Sequence, residues 1–470
     1  MKIILINPPN KFDGPNLPLG LASIAAYLRN QNENIDISVI DAWAEKLTFK
    51  EVERKASQSN ADIAGIYMLS PCYDAAKEVI KTVRRALPDS TIIAGGPHPS
   101  AVPQGTLNDI RELDICAIGE GELTMHELVK AIENNSPLSQ IDGLAYRDKN
   151  TGEIIVNKPR VLIKNLDSLP LPARDLFPLT KYNPPIPYGK KKPYMTMFTS
   201  RGCPFHCSYC SKNVYGDTYR AISPKKVCDE IEGLISKYHV QEIIFYDDDF
   251  TLNMQRAEEI CDEIIKRGIK LRWSCLTRAD LINENLLNKM KKAGCWLVDY
   301  GVESGNQKIL DTINKGVKID QMVQAFKMTK KAGIATTAYL LFGLPGETKE
   351  TVKETFALVK KLKPDFVTCG ILIVYPGSRF FNLIQEGKYS GKSRPLKSED
   401  NLSGTYFGRG NFAVFEDKIT MEEIKKIIQQ AEILFYFRPR YILQRLIDIR
   451  SLSDFNYYFR AAIKLMKTII

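Results

Sequence analysis

Cys203, Cys207 and Cys210 fall within one short run, Arg201-Gly202-Cys203-Pro204-Phe205-His206-Cys207-Ser208-Tyr209-Cys210, and this CxxxCxxC spacing constrains the chain more than any other feature. Three soft thiolates on one loop suit an iron–sulfur cluster better than a hard cation. Such a cluster usually takes four thiolates, and no fourth cysteine follows at motif distance. One iron is then left open for a substrate or a cofactor. Two plainer readings stand beside this one. A structural zinc ion prefers paired CxxC units and four ligands, which are missing here. Three reduced cysteines in a loop are the other.

A chain of 470 residues exceeds one ordinary domain and predicts two or three. Its ten cysteines are spread without secretory spacing and argue for a reducing compartment. The opening run Met1-Lys2-Ile3-Ile4-Leu5-Ile6-Asn7-Pro8-Pro9 is shorter than a signal h-region and ends at a Pro-Pro turn, so it reads as a strand. No stretch approaches the roughly 18 apolar residues of a membrane span. A cytoplasmic location is expected. The formal net charge of +10 is moderately basic. Small clusters such as Lys190-Lys191-Lys192 are dispersed, without the concentrated patch and interleaved aromatics of a nucleic-acid surface. Anionic substrates or a membrane surface stay open, and oligomeric state is not encoded in any visible signal.

Residues 1–145 alternate short apolar runs with amphipathic stretches. Strands are predicted at Lys2–Asn7, Ile35–Asp41, Ile63–Leu69, Thr91–Gly95 and Ile115–Gly119. Helices are predicted at Leu19–Arg29, Phe49–Ser57, Tyr73–Ala86 and Leu123–Glu133. This alternation predicts an α/β domain with a doubly wound, Rossmann-like parallel sheet that binds ligands at its strand carboxyl ends. Turns marked by Gly or Pro fall at those ends: Pro8-Pro9, Ser70-Pro71, Gly95-Gly96-Pro97-His98 and Gly119-Glu120-Gly121-Glu122. Glycine there lets backbone approach a bulky ligand closely. Ordinary turn chemistry explains any single one of them, and four on one rim are less ordinary.

Residues 146–190 are rich in proline and short on periodicity, as in Leu169-Pro170-Leu171-Pro172 and Pro184-Pro185-Ile186-Pro187, and read as a stiff crossing segment. From 191 the pattern resumes, with strands predicted at Tyr194–Ser200, Glu242–Asp247, Leu271–Thr277, Trp296–Glu303, Ala335–Gly343 and Phe366–Val374. Six such units make a partial (βα)6 barrel, and the cysteine loop follows its first strand, at the chemical end of such a barrel. This core is expected to run to 415. Residues 416–470 form a mostly helical extension broken at Arg438-Pro439-Arg440, whose aromatics Phe435, Tyr436, Phe437 and Tyr441 cap the barrel or meet an apolar partner. Cys72, Cys116, Cys228, Cys261, Cys275, Cys295 and Cys369 read as small apolar residues.

The cysteine run resembles the signature of radical S-adenosylmethionine (radical SAM) enzymes. Asn7-Pro8-Pro9, Pro18-Leu19-Gly20-Leu21, Gly95-Gly96-Pro97-His98 and Ile118-Gly119-Glu120-Gly121-Glu122 resemble recurring phrases of the cobalamin-dependent branch of that family. The resemblance implies three cofactors: a 4Fe-4S cluster on Cys203, Cys207 and Cys210, S-adenosylmethionine on the open iron, and cobalamin on the first domain. It implies cobalamin contacts at Asn7, Pro8, Ser70, Gly95, Gly96, His98, Gly119 and Gly121. The DxHxxG motif is absent, so no histidine is expected beneath cobalt, and His98 reads as a turn residue.

Phe245-Tyr246-Asp247-Asp248-Asp249 resembles the family's second-strand motif, with Asp247 and Asp248 at its recurring pair and facing the cofactor's ammonium. A magnesium site and a solvated turn are the plainer readings of these acids. Arg278 is expected to fork onto the cofactor's carboxylate. Glu303 and Ser304 suit ribose hydroxyls, and Tyr209 matches the aromatic that approaches adenine. Gly343-Leu344-Pro345-Gly346 resembles a structural turn of the family. The implied activity is radical C-methylation of a small-molecule or lipid-like substrate, with an electron donor such as flavodoxin or ferredoxin. Oxidative cyclisation, as in anaerobic magnesium-protoporphyrin monomethyl ester cyclase, is the enzymatic alternative. A non-catalytic cobalamin or redox sensor is the alternative of another class.

Overall fold

The computed structural model describes residues 1–10, 14–31, 34–148, 150–184, 189–395, 413–447, 449 and 452–469. The first sheet contains β1 (Lys2–Asn7), β2 (Asp36–Asp41), β3 (Ile63–Tyr67), β4 (Thr91–Gly95), β5 (Ile115–Ala117), β6 (Leu144–Arg147) and β7 (Ile154–Val156). Their order is β2-β1-β3-β4-β5-β6-β7. The pairings from β2 through β5 are parallel.

In β1 the alternate residues Ile3 and Leu5 enter one apolar layer, and Ile4 and Ile6 enter the other. A strand buried on both faces has no polar side to show, which is why the run reads as continuously apolar. The helices Leu19–Gln31 and Gly121–Glu133 cover the first layer, and Phe49–Ser59 and Tyr73–Ala86 cover the second. Thr48 and Glu51 cap Phe49–Ser59 reciprocally at its start, and Asn60 ends it in the left-handed conformation.

The sheet departs from expectation at its far edge. β6 and β7 add to it antiparallel, so it runs to Val156 rather than ending near 145. The Asp148 side chain accepts from the Asn150 and Thr151 N–H groups and forms the turn between them. The remaining crossing segment holds single 3-10 turns at Leu166–Ser168, Arg174–Leu176 and Leu179–Lys181. It is tied to both sides. The Tyr182 hydroxyl donates to Asp41 of the first sheet (2.6 Å), and Arg174 forms a buried ion pair with Glu230 (2.9 Å). Residues 185–188 of its proline run lie outside the described residues.

The second sheet has six strands: β8 (Tyr194–Met197), β9 (Glu242–Phe245), β10 (Arg272–Thr277), β11 (Cys295–Glu303), β12 (Ala335–Phe342) and β13 (Phe366–Ile371). They stand in chain order and all pair parallel, with helices on the outer face, as a partial barrel requires. Several strands stop one to three residues short of the predicted ends, because the chain there turns out of the ladder to form the rim.

At the carboxyl end, helix Met421–Tyr436 passes close to Gly343. Near the amino end of β13 the Tyr436 hydroxyl donates to the Val367 carbonyl (2.6 Å) and accepts from its N–H (3.1 Å). Phe435, Tyr436 and Tyr441 pack on the barrel core, whereas Phe437 is exposed. Helix Leu452–Ile469 reaches the amino ends of the strands, where Lys190 lies over the rings of Trp296, Tyr457 and Tyr458. Among the described residues no helix is long and apolar enough to cross a membrane.

Candidate active site

The cysteine loop is pinned on several sides. Gly202 has φ +86°, and a Cβ there would strike the Thr218 carbonyl, so the position requires glycine. Lys212 Nζ donates to the carbonyls of Cys203 (3.1 Å) and Phe205 (2.8 Å), and Asn314 Nδ2 donates to that of His206 (2.8 Å). The Arg278 guanidinium lies 3.7 Å from the centre of the Phe205 ring. Cys207 is buried, Cys203 half-buried and Cys210 exposed.

A hydrogen bond from the Cys210 thiol, with help from the Lys315 and Arg278 charges, pulls the Cys207 thiol down to about 6. The thiolate is the form that binds iron. Among the described residues no three His, Cys, Asp or Glu side chains converge on one point, as a single zinc ion would require. A cluster gives each thiolate its own iron, which the three free thiols of this loop can supply.

Beside the loop stands a triad of buried Glu303 and Lys315 with half-buried Tyr209. Tyr209 hydroxyl donates to Glu303 Oε1 (3.0 Å), and Lys315 Nζ donates to the same oxygen (2.8 Å) and to the Tyr209 hydroxyl (3.3 Å). Glu303 ends β11 at φ +63°, a strained conformation for a non-glycine residue. A Cβ at Gly301 would come within 2.6 Å of Glu303 Oε1 and 2.7 Å of Lys315 Nζ. Glycine at that position therefore leaves room for the ion pair. Lys315 carries no motif signal in sequence and was not among the expected site residues.

The other rim residues divide. Asp248 is exposed at the rim, whereas Asp247 is buried. Asp247 Oδ1 accepts from Thr199 N–H (3.0 Å), Thr199 hydroxyl (2.9 Å) and Ser200 hydroxyl. Its bonded oxygen therefore closes the end of β8 instead of facing a ligand. Asp249, outside the recurring pair, accepts from Thr277 (2.8 Å), and burial pushes its carboxyl up to about 6.

Arg278 departs from its expected role as a free fork. Its Nε and Nη2 pair with Asp280 (3.0 and 2.9 Å), and its Nη1 donates to the Lys315 carbonyl (2.7 Å). Ser304 also differs from expectation. It is fully buried against Thr355 (3.5 Å) and accepts from Asn306 N–H (3.2 Å), turned toward helix Lys349–Leu362 and away from the rim. The Glu347 carboxylate accepts from Gly343 N–H (2.7 Å), which holds the Gly343–Gly346 turn.

A cavity of about 490 Å³ lies between the two sheets. Asn7, Pro8, Gly95, Gly96, Gly119 and Gly121 line it from the rim of the first sheet. Phe198, Tyr246, Asp248 and the segment Ser211–Gly216, directly after Cys210, line it from the second. Ser70 and His98 do not line it. They bond to each other beneath the rim (3.1 Å), and burial lowers the His98 imidazole to about 4, so it is neutral. Gly20 lines the cavity with nothing within 4 Å of its Cβ position.

Comparison with known proteins matches residues 197–359 to the radical SAM superfamily and residues 10–129 to the B12 binding domain. The chain is 34% identical over 459 residues to an uncharacterized methyltransferase of Pyrococcus horikoshii, covering 95% of each. The chain belongs to the cobalamin-dependent radical SAM family. It is also 30% identical over 391 residues to the anaerobic magnesium-protoporphyrin IX monomethyl ester cyclase of Rubrivivax gelatinosus, covering 81% of this chain and 69% of that one. Its fold is similar to that of the radical SAM methyltransferase TsrM of Kitasatospora setae, solved with cobalamin and a [4Fe-4S] cluster (TM-score 0.75, 18% identity, 92% and 90% of the two chains). The cofactors of this radical SAM enzyme are thus a 4Fe-4S cluster, S-adenosylmethionine and cobalamin.

In this radical SAM enzyme the acids of the Gly119–Glu122 turn have a task that local sequence does not announce. Glu120 accepts from Arg201 (2.7 Å) and Arg220 (2.8 Å), and Glu122 accepts from Arg201 (2.6 Å). Arg201 leads into the cysteine loop. The turn thus borders the cavity with its glycines and ties the two domains together with its carboxylates.

Proposed function

We propose that this enzyme is a cobalamin-dependent radical methyltransferase that adds a methyl group to an unactivated carbon of a small-molecule or lipid-like substrate. The observation that carries the reading is the cavity, bordered both by the strand-end rim of the first sheet and by the segment following Cys210. When bound, the cluster and S-adenosylmethionine supply one-electron chemistry that opens a C–H bond, and cobalamin supplies a methyl carrier.

The chain's own residues hold, orient and shield. Cys203, Cys207 and Cys210 hold the cluster, and Tyr209, Asp248 and Glu303 form the edge of the S-adenosylmethionine site. Lys315 fixes the Glu303 carboxylate, while Asp247, Arg278 and Ser304 build the frame behind it. Cobalamin rests on the turns at Asn7, Pro8, Gly95, Gly96, Gly119 and Gly121, with Ser70 and His98 supporting the turns after β3 and β4 from beneath. His98 lies beneath the rim and outside the cavity lining, which supports the reading that no histidine sits beneath cobalt. The domains under this reading are a cobalamin-binding unit to 156, a crossing segment to 190, the radical core to 415 and the helical extension beyond. Ten cysteines free of disulfides support a cytoplasmic setting, where flavodoxin or ferredoxin can donate the electron.

The test is anaerobic turnover, with a chemical reductant and S-adenosylmethionine labelled in its methyl carbon, on candidate substrates. A product that gains one labelled carbon is expected. Consumption of the cofactor with a product of unchanged carbon count would replace methylation with the cyclase-like reaction. Absence of any cofactor cleavage would leave a sensor.

A further inference from the structure

Fourteen large apolar side chains are clearly exposed among the described residues, and ten of them fall between Ile433 and Met466. Scattered exposed apolar residues need no explanation, but this concentration does. Each helix here packs with one side only. In Pro439–Ile447, Tyr441 packs on Phe435 and Tyr436, and Arg445 pairs with Asp365 (3.1 Å), while Ile442, Leu443, Leu446 and Ile447 face away. In Leu452–Ile469, Tyr457 is buried, while Phe455, Phe459 and Met466 share the opposite, exposed side.

Charge narrows what covers this face. Residues 433–470 carry seven basic and two acidic side chains, so +5 of the chain's formal +10 lies in these few residues. A two-fold dimer through these helices would bring together two segments that each carry a formal +5. An anionic lipid surface meets both properties, since aromatic and aliphatic side chains enter the headgroup boundary and Lys and Arg pair with its phosphates.

We propose that the helices from Ile433 to Met466 form a docking surface for an anionic lipid bilayer, held in its interface without spanning it. The helix Leu452–Ile469 abuts the amino ends of the barrel strands, near Trp296 and Glu242. Docking there leaves the cofactor rim, at the opposite strand ends, free. The proposal does not depend on which reaction the rim performs.

The test uses the full-length, cofactor-loaded enzyme in flotation with vesicles of phosphatidylcholine alone and of phosphatidylcholine mixed with phosphatidylglycerol. The enzyme is expected to float with the mixed vesicles, less so as salt is raised, and not with the neutral ones. The paired substitutions Leu443→Glu and Phe459→Glu, both at exposed positions, should weaken mixed-vesicle binding by roughly tenfold or more, with melting temperature and methyl transfer unchanged. Equal binding to both vesicle types, or to neither, would overturn the proposal. So would a dimer, seen by light scattering, that the same two substitutions dissociate, because the face would then belong to a second copy.

Discussion

Lys315 sets where the Glu303 carboxylate points, because one ammonium reaches both that carboxylate and the Tyr209 hydroxyl inside a buried site. The strained backbone of Glu303 is tolerated because this pairing over-determines it. Asp299, deeper on β11, is the opposite case. It is buried, neither carboxylate oxygen has a regular hydrogen-bond partner among the described residues, and burial pushes the carboxyl up to about 7 despite the Thr337 hydroxyl nearby. The folded state binds this proton more tightly than the unfolded state, so Asp299 costs stability increasingly as pH rises from about 4 through about 7. Asp299→Asn removes the titration. Urea unfolding of the variant should exceed wild type only slightly near pH 4.5 and by much more at pH 8, with a ceiling of about 4 kcal/mol for a shift of this size. A gap that does not widen with pH would show that Asp299 stays ionised in the folded protein.

At the level of elements, the Gly119–Glu122 turn and the strand leading to Cys203 are joined by ion pairs almost wholly shielded from water. Glu120→Gln leaves Arg201 and Arg220 short of a countercharge. The unfolding free energy should fall by about 3–5 kcal/mol, as for a broken buried pair, against less than ~1 kcal/mol for an exposed one. Adding Arg220→Gln should return part of that loss, which a cycle of denaturation midpoints would measure. This network also marks the limit of what the chain announces locally. The cysteine spacing, the alternating strands and the Gly- and Pro-marked turns are readable because each is encoded within a few residues. Glu120 meets Arg220 across 100 residues, and Lys315 meets Tyr209 across 106, so no spacing rule points to either. The turn of Ser304 toward Thr355 is unannounced for a related reason: residue type and position leave open which way a hydroxyl points. The β6–β7 hairpin escaped because strands of four and three residues are too short for alternation to register, although the Asp148–Gly152 turn between them was a usable signal.

For the whole molecule, the question is whether the space between the sheets is the seat of cobalamin. Glycines on its wall are unequal probes of it. Gly96 has φ +112°, and its Cβ would lie 2.9 Å from the Met68 carbonyl and the Tyr67 ring, so Gly96→Leu damages the protein before it touches a ligand. Gly20 is different. It lies in the first turn of helix Leu19–Gln31 with open space where a side chain would grow, and that space is the cavity. In a helix, leucine in place of glycine favours folding by up to about 1 kcal/mol. Gly20→Leu should therefore hold or raise the melting temperature of the apoprotein while crowding the ligand by about 1–3 kcal/mol, a loss of affinity of roughly tenfold or more. Iron content and the absorbance of the reconstituted cluster should stay unchanged, since Cys203, Cys207 and Cys210 are untouched. Cobalamin retained after desalting is the quantity to measure. Full retention with full methyl transfer would move cobalamin out of this cavity. Lost retention with an intact cluster and a stable fold would fix it there, within reach of the segment that follows Cys210.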